Sequence, residues 1–284
     1  MTITEIRSSR NPLIRKVRLV AARSRRAPPE LVLAEGLHVL EEALRSGRPV
    51  STAIMSEGFG ASRCEQALMC ALDRAGAQLY RTHDRLMQSL SEVVEPQGVI
   101  GLVAVPPLKL SDLEAGRQEL ILCLCGLQDP GNLGNLIRTA VAAGVSLVCT
   151  THATASARNP KAVRSSAGAF FRARIVERIK PGELLEFCRS RGLAVYRAEA
   201  GRGVDYHRAD LTRPLALLLG NEAHGFAEEV WQSMPALRIP LLGGVESLNV
   251  GTAGAVILFE ALRQRRARHG EAAAQQAADY PSSR

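Results

Sequence analysis

The 284-residue sequence predicts an α/β fold in two successive units, on three observations. Short apolar runs alternate with amphipathic segments of about ten residues, the pattern of strands separated by helices. That alternation implies a mostly parallel sheet covered by helices on both faces. A polar stretch containing Pro and Gly, PPLKLSDLEAGRQ, interrupts the alternation once and marks the best boundary.

Alternation begins at residue 31. LVLAEG reads as a strand, and LHVLEEALRSG as a helix with residues 37, 40 and 44 apolar and Gly47 as its stop. A strand (VSTAIM), a helix from Ala61 to Arg74, a strand (QLYRT), a short helix over 83–90 and a strand (GVIGLVAV) follow. The unit ends at Pro106-Pro107. The second series runs ELILCLCG, a helix near 133–143 stopped by Gly144, VSLVCT, a helical segment near 160–168, FRARIVERI and a helix over 183–191. GLAVYRA, PLALLLG and LRIPLL then read as strands, and a long helix opens near Asn249. From Arg263 the tail loses its apolar period and is expected to be disordered beyond a frayed helix end. The expected limits are therefore 1–107, a linker at 108–118, a second domain at 119–262 and a basic tail at 263–284.

The net charge of +8 is unevenly placed: residues 1–30 carry eight Lys or Arg against Glu5 and Glu30, leaving +2 for the rest. A basic arm on a nearly neutral body suggests a polyanionic partner, nucleic acid ahead of an acidic membrane, or else a solvated segment that aids solubility. Arg7, Arg10, Arg15 and Lys16 are the candidate contacts. The six cysteines form no C-x-x-C pair and no Cys/His cluster at zinc spacing, so no metal is expected and core packing is the reading for Cys123, Cys125 and Cys149. No segment approaches the ~18–20 apolar residues of a membrane span, and the N-terminus has no signal-type run. A soluble, reduced, cytoplasmic protein is expected.

In open parallel sheets ligands bind beyond the carboxyl ends of the strands, and three such loops stand out. In LQDPGNLGNLIRTA, a helix from about Asn132 puts Leu133, Leu136, Ile137 and Ala140 on one face, with Arg138 and Asn135 well off it. Asn132 or Asn135 can cap that helix. The spacing G-N-L-G is neither a dinucleotide fingerprint nor a Walker loop. In LALLLGNEAHGF an apolar strand runs into Gly220, which permits close backbone approach to a flat ligand, then Asn221 and Glu222. Glu222 can serve a helix N-terminus, a ligand hydroxyl or the arginine. In LRIPLLGGVESLNVGTAGAVILFEAL, Ser247 or Asn249 can cap a helix whose small residues admit a second backbone unusually closely.

Together and in this order, N-x-G-x-x-x-R, G-N-E-x-x-G and I-P-L…S-L-N-V resemble the three signature motifs of the SpoU/TrmH family of SPOUT methyltransferases. The resemblance covers residues 120–262, and AEGLHVLEEAL with EPQGVIGLV is similar to that family's ribosomal-protein-like RNA-binding domain. The N-P-K and R-S-S-A-G runs at Asn159 and Arg164 resemble the segment between the first two motifs, which makes Lys161 and Arg164 further candidate RNA contacts.

The resemblance implies an S-adenosylmethionine-dependent methyltransferase acting on a ribose 2′-hydroxyl of ribosomal or transfer RNA. It implies a C-terminal parallel sheet tied in a deep trefoil knot, one of the exceptions to unknotted folds, and a homodimer through that domain. Gly220, Ile239 and Leu248 would line the cofactor, with Asn221 nearby. Arg138 would be the catalytic arginine, with Asn132, Glu222, Ser247 and Asn249 orienting it and the ribose. Cys125 stands near a position where the family often carries an acid. The competing class is a non-catalytic RNA-binding or ribosome-assembly protein that keeps the fold, against which the intact Arg138, Glu222 and Asn249 argue. A nucleotide-dependent oxidoreductase ranks behind both, for want of its fingerprint.

Overall fold

The structure, a computed structural model, describes residues 1–93, 95–113, 119–221, 225–226 and 229–269. In chain order its elements are β1 (Ile3–Ile6), α1 (Pro12–Ala21), β2 (Leu31–Glu35), α2 (Leu37–Arg45), β3 (Val50–Ser56), α3 (Arg63–Arg74), β4 (Gln78–Thr82), α4 (Asp84–Gln88) and β5 (Val99–Ala104). There follow β6 (Leu120–Leu124), α5 (Pro130–Ala142), β7 (Leu147–Thr151), α6 (Pro160–Ser165), β8 (Ile175–Ile179) and α7 (Pro181–Ser190). The last are β9 (Ala194–Ala198), β10 (Val204–Asp205), β11 (Leu215–Leu219), α8 (Glu229–Gln232), β12 (Ala236–Arg238) and α9 (Val250–His269). They form two compact units. Unit one joins Met1–Leu108 with Asp129–Arg138 and Ala155–Ala173; unit two holds Lys109–Gln128, Thr139–Thr154 and the chain from Arg174.

Unit one is built on a five-stranded sheet of order β1-β4-β3-β5-β2. β1, β4 and β3 run parallel, whereas β5 is antiparallel to both β3 and β2. The segment expected as a basic arm is part of this body. Asn11 caps α1, its side-chain oxygen accepting the Leu13 N–H at 2.8 Å, and Pro12 occupies the first helical turn, where a missing N–H costs nothing. Ile14, Val17 and Val20 then fall on one buried face with Ile6, at about 1.5–3 kcal/mol for each fully buried aliphatic side chain. The same helical spacing leaves Arg15, Lys16 and Arg18 exposed on the other. α3 starts at Arg63 because a capping box closes there: Ser62 Oγ accepts Glu65 N–H at 3.2 Å, and Glu65 Oε2 accepts Ser62 N–H at 2.8 Å.

Unit two is a seven-stranded sheet, parallel at every pairing, of order β10-β12-β9-β11-β6-β7-β8. β6, β7 and β11 each present five consecutive buried residues, as strands covered on both faces require. Cys123 and Cys149 are register partners between β6 and β7. Their mutual hydrogen bond and their burial hold the Cys123 thiol well above the usual range, which makes it an inert core residue. Cys125 is also buried, its N–H donating to Leu219 O at 2.8 Å. Two expectations change here. FRARIVERI becomes strand only from Ile175, since Ala169–Phe171 forms a 3₁₀ turn that buries both phenylalanines. The last helix continues to His269, past the expected limit at 262, because its polar residues are anchored to the loop before β11. Gln264 accepts Leu211 N–H at 2.9 Å and donates to Ala209 O at 3.1 Å, while Arg265 Nε donates to Leu211 O at 3.0 Å. Residues 270–284 of the expected tail lie outside the described residues. Among the described residues no helix is long and apolar enough to cross a membrane.

Candidate active site

The carboxyl end of β11 builds a sterically constrained turn in unit two. A Cβ on Gly220 would stand 2.7 Å from Gly225 O and 2.8 Å from its carbonyl carbon, so the position admits only glycine. Asn221 and Gly225 close the turn with paired backbone bonds, Asn221 N–H to Gly225 O at 2.7 Å and Gly225 N–H to Asn221 O at 2.9 Å. Gly225 takes φ +65° to allow it. The Asn221 side chain donates its amide to Gly126 O at 2.8 Å. Gly126 N–H in turn donates to Thr154 Oγ1 at 2.9 Å, and the Thr154 hydroxyl donates to Leu124 O at 2.8 Å. The loops after β6, β7 and β11 are thus pinned to one another by side chains satisfying backbone groups that the strand ends leave over.

Above this turn lies a cavity of about 640 Å³. Leu219, Gly220, Ile239, Leu248, Ala253 and Ile257 give it an apolar wall. Asn221 and Ser247 also line it, and Arg197, Glu199 and Arg202 form a charged side. Arg197 is ion-paired with Glu199 and donates Nε to Met234 O at 3.0 Å. The volume is that of a small-molecule site, and the wall suits the flat faces of a purine. The charged side suits a zwitterionic amino-acid tail. The Gly220 turn brings backbone donors and acceptors to the cavity with no side chain in the way. S-adenosylmethionine, a purine nucleoside carrying an amino-acid tail, fits this donor set.

The structure therefore brings Gly220, Asn221, Ile239, Ser247 and Leu248 to one cavity of unit two. Asn249 caps α9 instead, its Oδ1 accepting the Gly251 N–H at 2.9 Å and the Thr252 N–H at 3.4 Å. Glu222 lies outside the described residues. Asn132 and Arg138 belong to unit one, in α5. Asp129 caps that helix, Oδ2 accepting the Asn132 N–H at 3.0 Å, so neither Asn132 nor Asn135 holds the capping place. Arg138 projects off the buried face of Leu133, Leu136 and Ile137; it is exposed and, among the described residues, has no hydrogen-bond or ion-pair partner.

The candidate RNA cations divide. Arg10, Arg15 and Lys16 are exposed, and exposed Arg7 pairs locally with Glu5 at 2.7 Å. Lys161 is paired with Asp129 at 2.7 Å, and Lys161 and the Asn132 amide hold the Asp129 carboxyl below its ordinary range. Arg164 also has a partner: its guanidinium meets Glu35 Oε2 at 2.9 Å, and Glu35 is a buried carboxylate that needs this counter-charge. Arg197, Glu199 and Arg202 were not singled out from the sequence. Glu199 follows β9 directly, so the rule that ligands gather beyond parallel strand ends would have found it.

Residues 119–259 match the SpoU rRNA Methylase family, and residues 11–101 match the MRM3-like substrate binding domain. The Bacillus subtilis 23S rRNA (guanosine(2553)-2′-O)-methyltransferase RlmP is 30% identical over 256 residues, spanning 90% of this chain and 98% of the relative. An AdoMet-bound rRNA methyltransferase from Sinorhizobium meliloti superposes with a TM-score of 0.79 at 27% identity, over 92% of this chain and 98% of that one. A structure described as an RNA 2′-O ribose methyltransferase gives 0.78 at 31% identity, over 92% and 99%.

Proposed function

The chain belongs to the SpoU rRNA methylase family, and on that premise we propose that it methylates a ribose 2′-hydroxyl in structured RNA, 23S ribosomal RNA first, with S-adenosylmethionine as the methyl donor. The observation that carries the reading is the unit-two cavity, where Gly220, Ile239 and Leu248, each from a different part of the last two signatures, share one wall. The cofactor, when bound, supplies an already electrophilic sulfonium methyl. What remains for the protein is to align the ribose oxygen with that methyl and to manage the hydroxyl proton.

Arg138 is assigned the alignment and the stabilisation of the oxygen as its proton leaves to solvent water. A guanidinium is a permanent cation with five donors and no acceptor, so it serves better as a clamp for an RNA phosphate and a stabiliser of the developing alkoxide than as a base. Its exposure without a partner among the described residues supports that availability. Asn132, Glu222, Ser247 and Asn249 orient the arginine and the ribose in this reading, and Arg10, Arg15 and Lys16 contact RNA phosphates. The trefoil knot, a homodimer through the C-terminal domain and a cytoplasmic location belong to the same proposal. Exposed Leu242, Val245 and Phe259 in that domain support the dimer by offering apolar surface.

The test is transfer of tritium from methyl-labelled S-adenosylmethionine to 23S rRNA from cells lacking the protein, followed by digestion to nucleosides. A 2′-O-methylnucleoside is the expected product. A base-methylated product overturns the reading, and cofactor binding without any transfer favours the non-catalytic RNA-binding class.

A further inference from the structure

Within unit one a continuous set of contacts leads from a buried carboxylate to the first turns of α5. Glu35, at the end of β2, is 5% exposed. It accepts Ser91 Oγ–H and pairs with Arg164 Nη1 at 2.9 Å. Arg164 stands in the last turn of α6. At the other end of α6, Lys161 Nζ meets Asp129 Oδ1 at 2.7 Å, and the second oxygen of Asp129 caps α5. Between these ends the two helices meet at backbone distance. A Cβ on Gly134 would stand 2.3 Å from Ala162 O and 2.7 Å from the Ser165 Cβ. The flanks of α6 are tied down as well. Arg158, 7% exposed, donates to Val105 O at 2.8 Å and Pro29 O at 3.1 Å, and Arg172 pairs with Glu42 at 2.5 Å.

We propose that Glu35, acting through Arg164 and α6, is a positioning residue for methyl transfer, because this linkage fixes the first turns of α5 and with them Arg138. The proposal rests on the role given to Arg138 above. Arg138 lies one helical turn beyond Gly134, about 6 Å along a rigid rod, so any tilt of the first turn is carried to it. A buried carboxylate–guanidinium pair adds little to stability over a well-packed apolar pair, and what it supplies is register.

Glu35→Gln in the full-length protein separates the two roles, since it keeps the side-chain shape and removes no cation. Hydrogen–deuterium exchange is expected to rise about tenfold in the peptide over 129–138 and to stay unchanged over 215–219. kcat for tritium transfer to 23S rRNA should fall about tenfold or more, with the KM for S-adenosylmethionine and the salt slope of RNA binding within about twofold of wild type. Arg164→Lys should retain more of the rate than Arg164→Gln. Asp129→Asn, at a half-buried position, keeps the cap but releases Lys161, and its exchange over 129–138 should rise several-fold. It decides the matter if Glu35→Gln does not fold. Unchanged exchange over 129–138 in Asp129→Asn and in any folded Glu35→Gln overturns the proposal, as does a rate loss fully accounted for by weaker RNA binding. If the wild-type protein binds S-adenosylmethionine and transfers no methyl, the proposed function fails, and the exchange measurement alone judges the linkage.

Discussion

Replacing Gly220 with alanine tests the cofactor cradle with a single methyl group. The added carbon would stand 2.7 Å from Gly225 O and 2.8 Å from the carbonyl carbon, against about 3.5–4.0 Å for an unstrained carbon contact. Both obstructing atoms are backbone, so the turn itself must retreat by about 1 Å. The Asn221–Gly225 pair, with bonds of 2.7 and 2.9 Å, is what gives way. Losing two backbone hydrogen bonds costs about 2 kcal/mol, and residual overpacking adds about 1–2 kcal/mol. If the cofactor binds only the closed turn, an equivalent 3–4 kcal/mol is about a 10²- to 10³-fold weaker Kd. Isothermal titration with S-adenosylmethionine reads it directly. Gly182→Ala, at a position with nothing within 4 Å of the new carbon, serves as the control and should bind within about twofold of wild type. A natively folded Gly220→Ala protein with a Kd within threefold of wild type would refute both the cradle and the assignment of the cavity.

Arg138→Ala should lower the single-turnover rate by about 10²–10³ and leave the cofactor Kd within about twofold, because the residue is exposed and does not line the cavity. Equal losses in rate and cofactor affinity would remove it from the chemistry. Combined Arg10→Gln, Arg15→Gln and Lys16→Gln should flatten the plot of log K for RNA against log salt by about 2–3, and an unchanged slope would make these cations merely solvating. Deleting residues 1–26 cannot serve that purpose, since it removes Ile6, Ile14, Val17 and Val20 from the core. Hydrogen bonds from Arg263, then from Gln264, hold the Glu260 carboxyl at about 2, below its ordinary 4.5. A depressed carboxylate gives stability that is fully present above 4.5 and lost as pH falls toward 2. The difference in Tm between wild type and Glu260→Gln should therefore shrink across that window, and a difference independent of pH would show the pair contributes nothing.

Most strands of both sheets were legible because runs of three to five apolar residues between polar turns have few other uses. LVLAE, LILCL, LVCTT and LALLL are all strands for that reason. β1 and α1 were hidden by charge. In PLIRKVRLVA the apolar residues at 14, 17 and 20 keep helical spacing, but the interleaved cations dominate the composition and suggest an arm. β10 and α8 are too short to carry a period. At the site, glycine and aliphatic positions were legible because Gly220 has a steric reason to be glycine. The ion pair of Arg164 was hidden because its partner, Glu35, lies 129 residues away, a pairing that only the folded chain reveals. The interleaving of 129–138 and 155–173 with the N-terminal unit was equally hidden, since no local signal marks where a segment will pack.

The order of strands in unit two also bears on how the chain is made. β11 lies between β9 and β6, yet it leaves the ribosome after both, and β12 likewise arrives after the β9 it joins. Until residue 219 has emerged, the growing sheet consists of β6, β7 and β8 with an open β6 edge, and β9 has no neighbour beside it. An unpaired apolar edge is where nascent chains associate with one another, and closing the gap requires contacts far apart in sequence, the slow kind. Translation speed through the stretch between β9 and β11 should therefore influence the yield of native protein more than speed through any segment of unit one.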